Sequence, residues 1–97
     1  MSIFLLSPAA QADLDQIWDY TYHRWDSDQA DEYLRELQRA LERAATNPLI
    51  GRPCDEIRRG YRKLAAGSHV LFYRVISGGG IDVVRVLHRR MDIDNHL

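Results

Sequence analysis

The residues of this chain that could do chemistry are histidine, arginine and tyrosine. Most fall in its second half: His69, His88, His96, Arg74, Arg85, Arg89, Arg90, Tyr61 and Tyr73. Together they suit cleavage of RNA. A base must activate the ribose 2′-hydroxyl, cations must stabilise the phosphorane, and an acid must protonate the leaving oxygen. Leu87-His88-Arg89-Arg90 supplies both residue types at the end of an expected strand. The plainer reading is structural. A histidine at a strand end is more often a hydrogen-bonded scaffold group, and paired arginines are more often a solvated or partner-binding edge.

Other chemistries find less support. No two His or Cys residues stand at ligand spacing and Cys54 is alone, so a metal centre is not expected. Asp92, Asp94 and His96 alternate and could form a loose oxygen-rich site, but a solvated tail is the commoner outcome. Gly78-Gly79-Gly80 belongs to a hairpin and opens no helix, so it is not a phosphate loop. Ser7, Ser27, Ser68 and Ser77 sit at caps or turns, where none reads as a nucleophile. No cofactor is expected. Trp18 and Trp25 are most simply core or hairpin-edge residues. At an exposed end they could instead anchor a partner, since tryptophan is enriched at binding hot spots.

The elements that must position these groups are legible from periodicity. Met1–Leu6 is a short apolar run that could open the fold as a strand. Ser7-Pro8 then gives an N-cap and a first-turn proline. Leu14, Ile17, Trp18, Thr21, Tyr22 and Trp25 recur at three- and four-residue steps, opposite a polar stripe of Gln11, Asp15, Asp19 and His23. Asp26-Ser27-Asp28 breaks that helix and caps a second, whose apolar face runs Ala30, Tyr33, Leu34, Leu37, Leu41, Ala44 and Ala45. Asn47-Pro48 ends it. A connection this short predicts an antiparallel helical hairpin. Leu49–Gly60 reads as a loop. Tyr61–Ala65, His69–Ile76 and Ile81–His88 read as three strands joined by tight turns at Ala66-Gly67 and Gly78-Gly79. The order β-α-α-β-β-β predicts an α+β layer fold, with an N-terminal strand and a helical hairpin on one face of a small antiparallel sheet.

A two-residue turn at Gly78-Gly79 would pair Tyr73 with Val84 and Leu71 with Val86. One face then shows Leu71, Tyr73, Val75, Val84 and Val86, and the two helices should cover it. The other shows Val70, Phe72, Arg74, Ile76, Ile81, Val83, Arg85 and Leu87. With no third helix to cover it, this face should be an exposed patch of the kind that marks a partner site.

Ninety-seven residues make one domain, 1–97, and a 45% apolar content can fill one core. No apolar run approaches the ~20 residues of a membrane span, and the N-terminus lacks the basic flank of a signal peptide. One cysteine cannot form an internal disulfide, so a cytoplasmic location is expected. The net charge of −1 hides a division. Residues 1–50 hold four basic and nine acidic side chains, and residues 51–97 hold nine basic and five acidic. One reading is ordinary surface variation; the other is a C-terminal half that receives an acidic partner.

The whole chain resembles the ParE toxin family, and looks most like its mycobacterial and other actinobacterial members. Leu6 to Trp18 resembles the family's opening. Arg24-Trp25 followed by Gln29-Ala30 and Tyr33 resembles its helix junction, and Asn47-Pro48, Gly51-Arg52, Ile57-Arg58 and Gly60-Tyr61-Arg62-Lys63 resemble its loop and next strand. Most specific are Gly67 to Arg74 and Val84 to Asp92, with His96-Leu97 at the end. The resemblance implies the toxin of a type II toxin–antitoxin pair, with the fold shared by ParE and RelE. It implies a non-enzymatic inhibitor that poisons DNA gyrase and blocks replication, without direct DNA sequence recognition. The alternative is a RelE-like, ribosome-dependent mRNA endoribonuclease. Those members tend to carry basic residues with a tyrosine or another acid/base residue near the C-terminus, and Arg89 to Leu97 holds neither tyrosine nor lysine. That departure favours the gyrase branch, although His88 or His96 could substitute. A ParD-like antitoxin would lay a C-terminal helix and extended segment over Phe72, Arg74, Val83, Arg85, Leu87 and Arg62. Arg89, Arg90, Met91, His96 and Trp25 would reach the target.

Overall fold

Local capping fixes where the helices begin. Ser7 Oγ accepts the Ala10 N–H at 3.0 Å and donates to the Val84 carbonyl at 2.7 Å, so one hydroxyl both caps a helix and ties it to the sheet. Asp26 caps the next helix by accepting the Gln29 N–H at 2.8 Å. The computed structural model describes residues 3–91 and 97. It contains β1 (Phe4–Leu6), α1 (Pro8–Arg24), α2 (Ser27–Thr46), a 3₁₀ turn (Pro48–Ile50), β2 (Arg52–Pro53), β3 (Tyr61–Ala66), β4 (His69–Val75) and β5 (Ile81–His88). The sheet runs β1-β5-β4-β3-β2. The α+β fold is the one the sequence predicts. Two details extend it: β1 joins the antiparallel strands as a parallel edge beside β5, and β2 adds a short edge inside the expected loop. Pro53 is tolerated there because an edge strand can spare one N–H.

The register departs from expectation at the last hairpin. Ile76 N–H bonds the Gly80 carbonyl at 3.1 Å, so the loop has three residues, Ser77-Gly78-Gly79, and not two. Val75 therefore faces Ile81 and Tyr73 faces Val83. A bulge with Val84 as the extra residue then restores Phe72 opposite Arg85 and Leu71 opposite Val86. Gly80 has φ +88° and a Cβ there would lie 2.4 Å from the Ile3 carbonyl, so only glycine lets β1 approach.

This register moves Ile81 and Val83 to the helical side. They are fully buried with Leu71, Tyr73, Val86, Ile17, Leu37 and Leu41 in the main core. Val75, expected under the helices, is largely exposed instead. Phe72 and Leu87 do lie on the opposite face, but they too are buried. A second cluster forms there with Cys54, backed by Ile57, Tyr61, Val70 and Leu97. The segment between β2 and β3 supplies the missing cover. The expected exposed patch of Phe72, Val83 and Leu87 does not exist.

Candidate functional site

The cations assigned to that patch are engaged with other groups. Arg85 makes a bidentate pair with Asp13 of α1, Nε to Oδ2 and Nη2 to Oδ1 both at 2.8 Å. Asp13 is only 8% exposed, and its Oδ2 also accepts the Val86 N–H at 2.9 Å. Arg74 reaches Asp82 across the β4–β5 pair at 2.6 Å on an exposed surface. Both guanidinium pKa values are raised, chiefly by those hydrogen bonds. Arg62 donates to the Gly51 carbonyl at 2.7 Å. Tyr73, a candidate for chemistry, is wholly buried. It accepts the Gly51 N–H and donates to the Pro48 carbonyl, each at 2.8 Å. Tyr61 belongs to the second core cluster.

Other predicted residues do converge, at the end of the molecule where α1 hands over to α2. Two adjoining clefts meet there and share Tyr20, His69 and His88. One, of about 420 Å³, extends to Met91. The other, of about 250 Å³, extends to Trp25 and Arg24. Trp25 is 68% exposed and Tyr20 67%, with Tyr22 and Met91 also exposed. Trp18 is held in place by stacking on Tyr22, 5.2 Å between ring centres, and by its indole N–H to Asp31 at 3.0 Å. Arg89 and Arg90 follow β5 on the exposed surface, with the Arg89 N–H on the Ser68 carbonyl at 3.0 Å. The surface thus joins two predicted target residues, Trp25 and Met91, that are distant in sequence. His96, like Asp92 and Asp94, lies outside the described residues.

At its floor, His69 and His88 face each other across β4 and β5, ring centres 5.3 Å apart. Tyr33 of α2 lies 2.6 Å from His69 Nδ1 and accepts the Ser68 N–H at 3.0 Å. The Tyr33 hydroxyl therefore links the Ser68 backbone to the His69 ring and fixes that ring against α2. His88 Nδ1 accepts the Arg90 N–H at 3.1 Å. Among the described residues no three His, Cys, Asp or Glu side chains gather as a metal group. Burial raises the Tyr33 pKa.

The His69 imidazole is pushed down to about 4, first by burial and then by His88, with Asp13 partly opposing. Its folded value lies below the unfolded value of ~6.5, so the unfolded chain takes up the proton first as pH falls. Stability from the neutral ring is fully present above about pH 6.5 and is lost progressively towards about pH 4. Urea midpoints taken at about pH 7 and about pH 5 should therefore drop further for the wild type than for His69→Gln. Equal drops in both proteins would exclude His69 as the source.

Three contributors escaped the sequence reading. Tyr20 falls between the apolar and polar stripes of α1. Tyr33 meets His69 only through the fold. Asp13 did carry a signal, because it sits on the buried stripe Ala10, Asp13, Ile17 and Thr21, where a carboxylate needs a partner.

Comparison with known proteins matches this chain to one family throughout its length. The family model described as ParE toxin of the type II toxin–antitoxin system parDE matches residues 4–93. Toxin ParE1 of Mycobacterium tuberculosis is 71% identical over 96 residues, covering 99% of this chain and 98% of that one. Toxin ParE1 of Caulobacter vibrioides is 47% identical over 97 residues, covering 100% and 99%. Among solved structures, a chain of the chromosomal ParDE system from P. aeruginosa superposes with a TM-score of 0.76 at 22% identity, covering 91% and 96%. The YoeB/ParE toxin from Agrobacterium tumefaciens gives 0.66 at 18%, covering 92% and 99%. These two likenesses speak to the fold. No helix among the described residues is long and apolar enough to cross a membrane.

Proposed function

The chain belongs to the ParE toxin family of type II toxin–antitoxin systems, and from that premise we propose that it halts growth by binding and poisoning DNA gyrase, and that a ParD-like antitoxin neutralises it. The observation that carries a binding mechanism is the exposed aromatic tip. Trp25 and Tyr20 are each about two-thirds exposed beside Met91 and two clefts, an arrangement that costs a monomer solvation and suits a protein partner. The RNA-cleaving reading draws on His69 and His88 sharing that surface. One of its candidate cations for the phosphorane charge, Arg85, is committed to Asp13, while Arg89 and Arg90 stay exposed directly after His88.

The test is a gyrase cleavage assay with purified toxin, supercoiled plasmid and ATP, scoring linear DNA after protein digestion. Toxin should produce linear DNA that disappears when antitoxin is added. Trp25→Ala should raise the toxin concentration required by ~30-fold, the loss of about 2 kcal/mol typical of a hot-spot tryptophan. If folded, antitoxin-competent wild type gives no linear DNA and leaves supercoiling intact, the gyrase reading falls. An mRNA cleavage assay with His88→Ala would then decide for or against the alternative.

A further inference from the structure

The opposite end of the helical hairpin carries a second surface, which neither the gyrase reading nor the sequence pattern uses. Two grooves of about 530 Å³ each meet at Glu42 on the last turns of α2. One is lined by Ile3 and Phe4 of the N-terminal strand region, the other by Ile50 with Arg39 and Arg43. Ile3 is 47% exposed, Ile50 41%, and the neighbouring Leu49 68%. These are branched apolar side chains that the fold had the opportunity to bury and did not. The helix α2 is 20 residues long, so at ~1.5 Å per residue about 30 Å separates this root from the Trp25 tip. The two surfaces can therefore serve different partners.

The charge around the root selects its occupant. Arg39 and Arg43 stand against one glutamate in the groove lining, and the exposed Arg52 follows two residues after Ile50. The Arg39 contact to Glu32 is long, at 3.6 Å, with both side chains about 60% exposed. An ion pair that open to solvent is worth little and can be exchanged for another carboxylate. We propose that this root groove anchors an acidic amphipathic segment of the antitoxin, apolar side chains on Ile3, Leu49 and Ile50 and carboxylates on Arg39 and Arg43. The proposal rests on the toxin–antitoxin reading but not on gyrase as the target. With Phe72, Val83 and Leu87 buried, this root offers the combination of apolar floor and arginine rim that the sheet face was expected to give.

Titration calorimetry of full-length toxin with its purified cognate antitoxin tests this. Ile50→Asp, and separately the double variant Arg39→Glu/Arg43→Glu, should each weaken binding by at least about tenfold, as expected where a buried apolar anchor or a complementary charge pair is reversed. Both should need correspondingly more antitoxin to suppress activity, while activity without antitoxin stays unchanged. The double variant alters only surface charge, so it remains informative if Ile50→Asp fails to fold. Binding within about threefold of wild type for the folded double variant would overturn the proposal. So would light scattering that shows the free toxin as a dimer that these variants dissolve, since the groove would then be filled by a second copy. Wild type that binds antitoxin but never cleaves with gyrase would remove the gyrase reading and leave this result intact.

Discussion

Replacing Arg85 with alanine should lower the unfolding free energy by about 3–5 kcal/mol, because it leaves the Asp13 carboxylate buried without its cation. The size follows from what Asp13 does for the sheet. The parallel strand β1 pairs with β5 only as far as Leu6 opposite Val83, and the chain then turns into α1. Beyond that point the outer edge of β5 has no strand beside it. Ser7 Oγ donates to the Val84 carbonyl, and the Asp13 carboxylate accepts the Val86 N–H, standing in for the carbonyl a longer β1 would have supplied. Holding a carboxylate there requires a charge partner, and Arg85 provides one in fork geometry. Asp13→Leu combined with Arg85→Met should recover much of the loss, since an apolar pair of similar volume leaves no stranded charge. Urea denaturation of the three variants at neutral pH checks both statements. A cost below about 1 kcal/mol for Arg85→Ala would show the pair to be solvated. The stability result also governs how activity is read: reduced toxicity of an Arg85 variant reports unfolding before it reports a lost partner contact.

What was legible in the sequence was what is decided locally. Ser7-Pro8, Asp26 and Asn47-Pro48 placed the ends of both helices, because a cap is a contact between residues three or four apart. The strands β3, β4 and β5 were found for a similar reason, since β-branched and aromatic runs between glycines are local too. Register was not. Three consecutive glycines accept a two-residue or a three-residue loop equally well, and the choice moves Ile81 and Val83 from one face to the other. The bulge at Val84 lay equally out of sight, because it answers to Ser7, 77 residues away. The site divides in the same way. Trp25 and Met91 were singled out from residue type and resemblance, and the fold brings them around Tyr20 and His88. The Tyr33–His69 contact spans 36 residues and has no sequence trace.

Phe72 is where the two pictures separate most sharply, and Phe72→Ala should cost about 3–5 kcal/mol, the range for emptying a buried aromatic site. On an exposed partner face the same change would cost under about 0.5 kcal/mol and appear only as weaker antitoxin binding. The segment between β2 and β3 makes the difference, and it is a folded cap rather than a loose loop. Cys54 and Tyr61 close it through the Cys54 N–H on the Tyr61 carbonyl at 2.9 Å. Inside it, Ile57 and Arg58 both donate to the Cys54 carbonyl. Asp55 Oδ1 takes the Gly60 N–H at 2.7 Å. These bonds set Cys54 and Ile57 over Phe72 and Leu87, and burial raises the Cys54 thiol pKa. Emptying the Phe72 site should therefore have a second signature that simple loss of stability does not require. Under conditions where the variant is still folded, Cys54 should react faster with a thiol reagent than in wild type, because the cap has lost the ring it rests on. Unchanged labelling with a large stability loss would mean that the cap is held by its own hydrogen bonds. Unchanged stability would return Phe72 to the surface and reopen that face to the antitoxin.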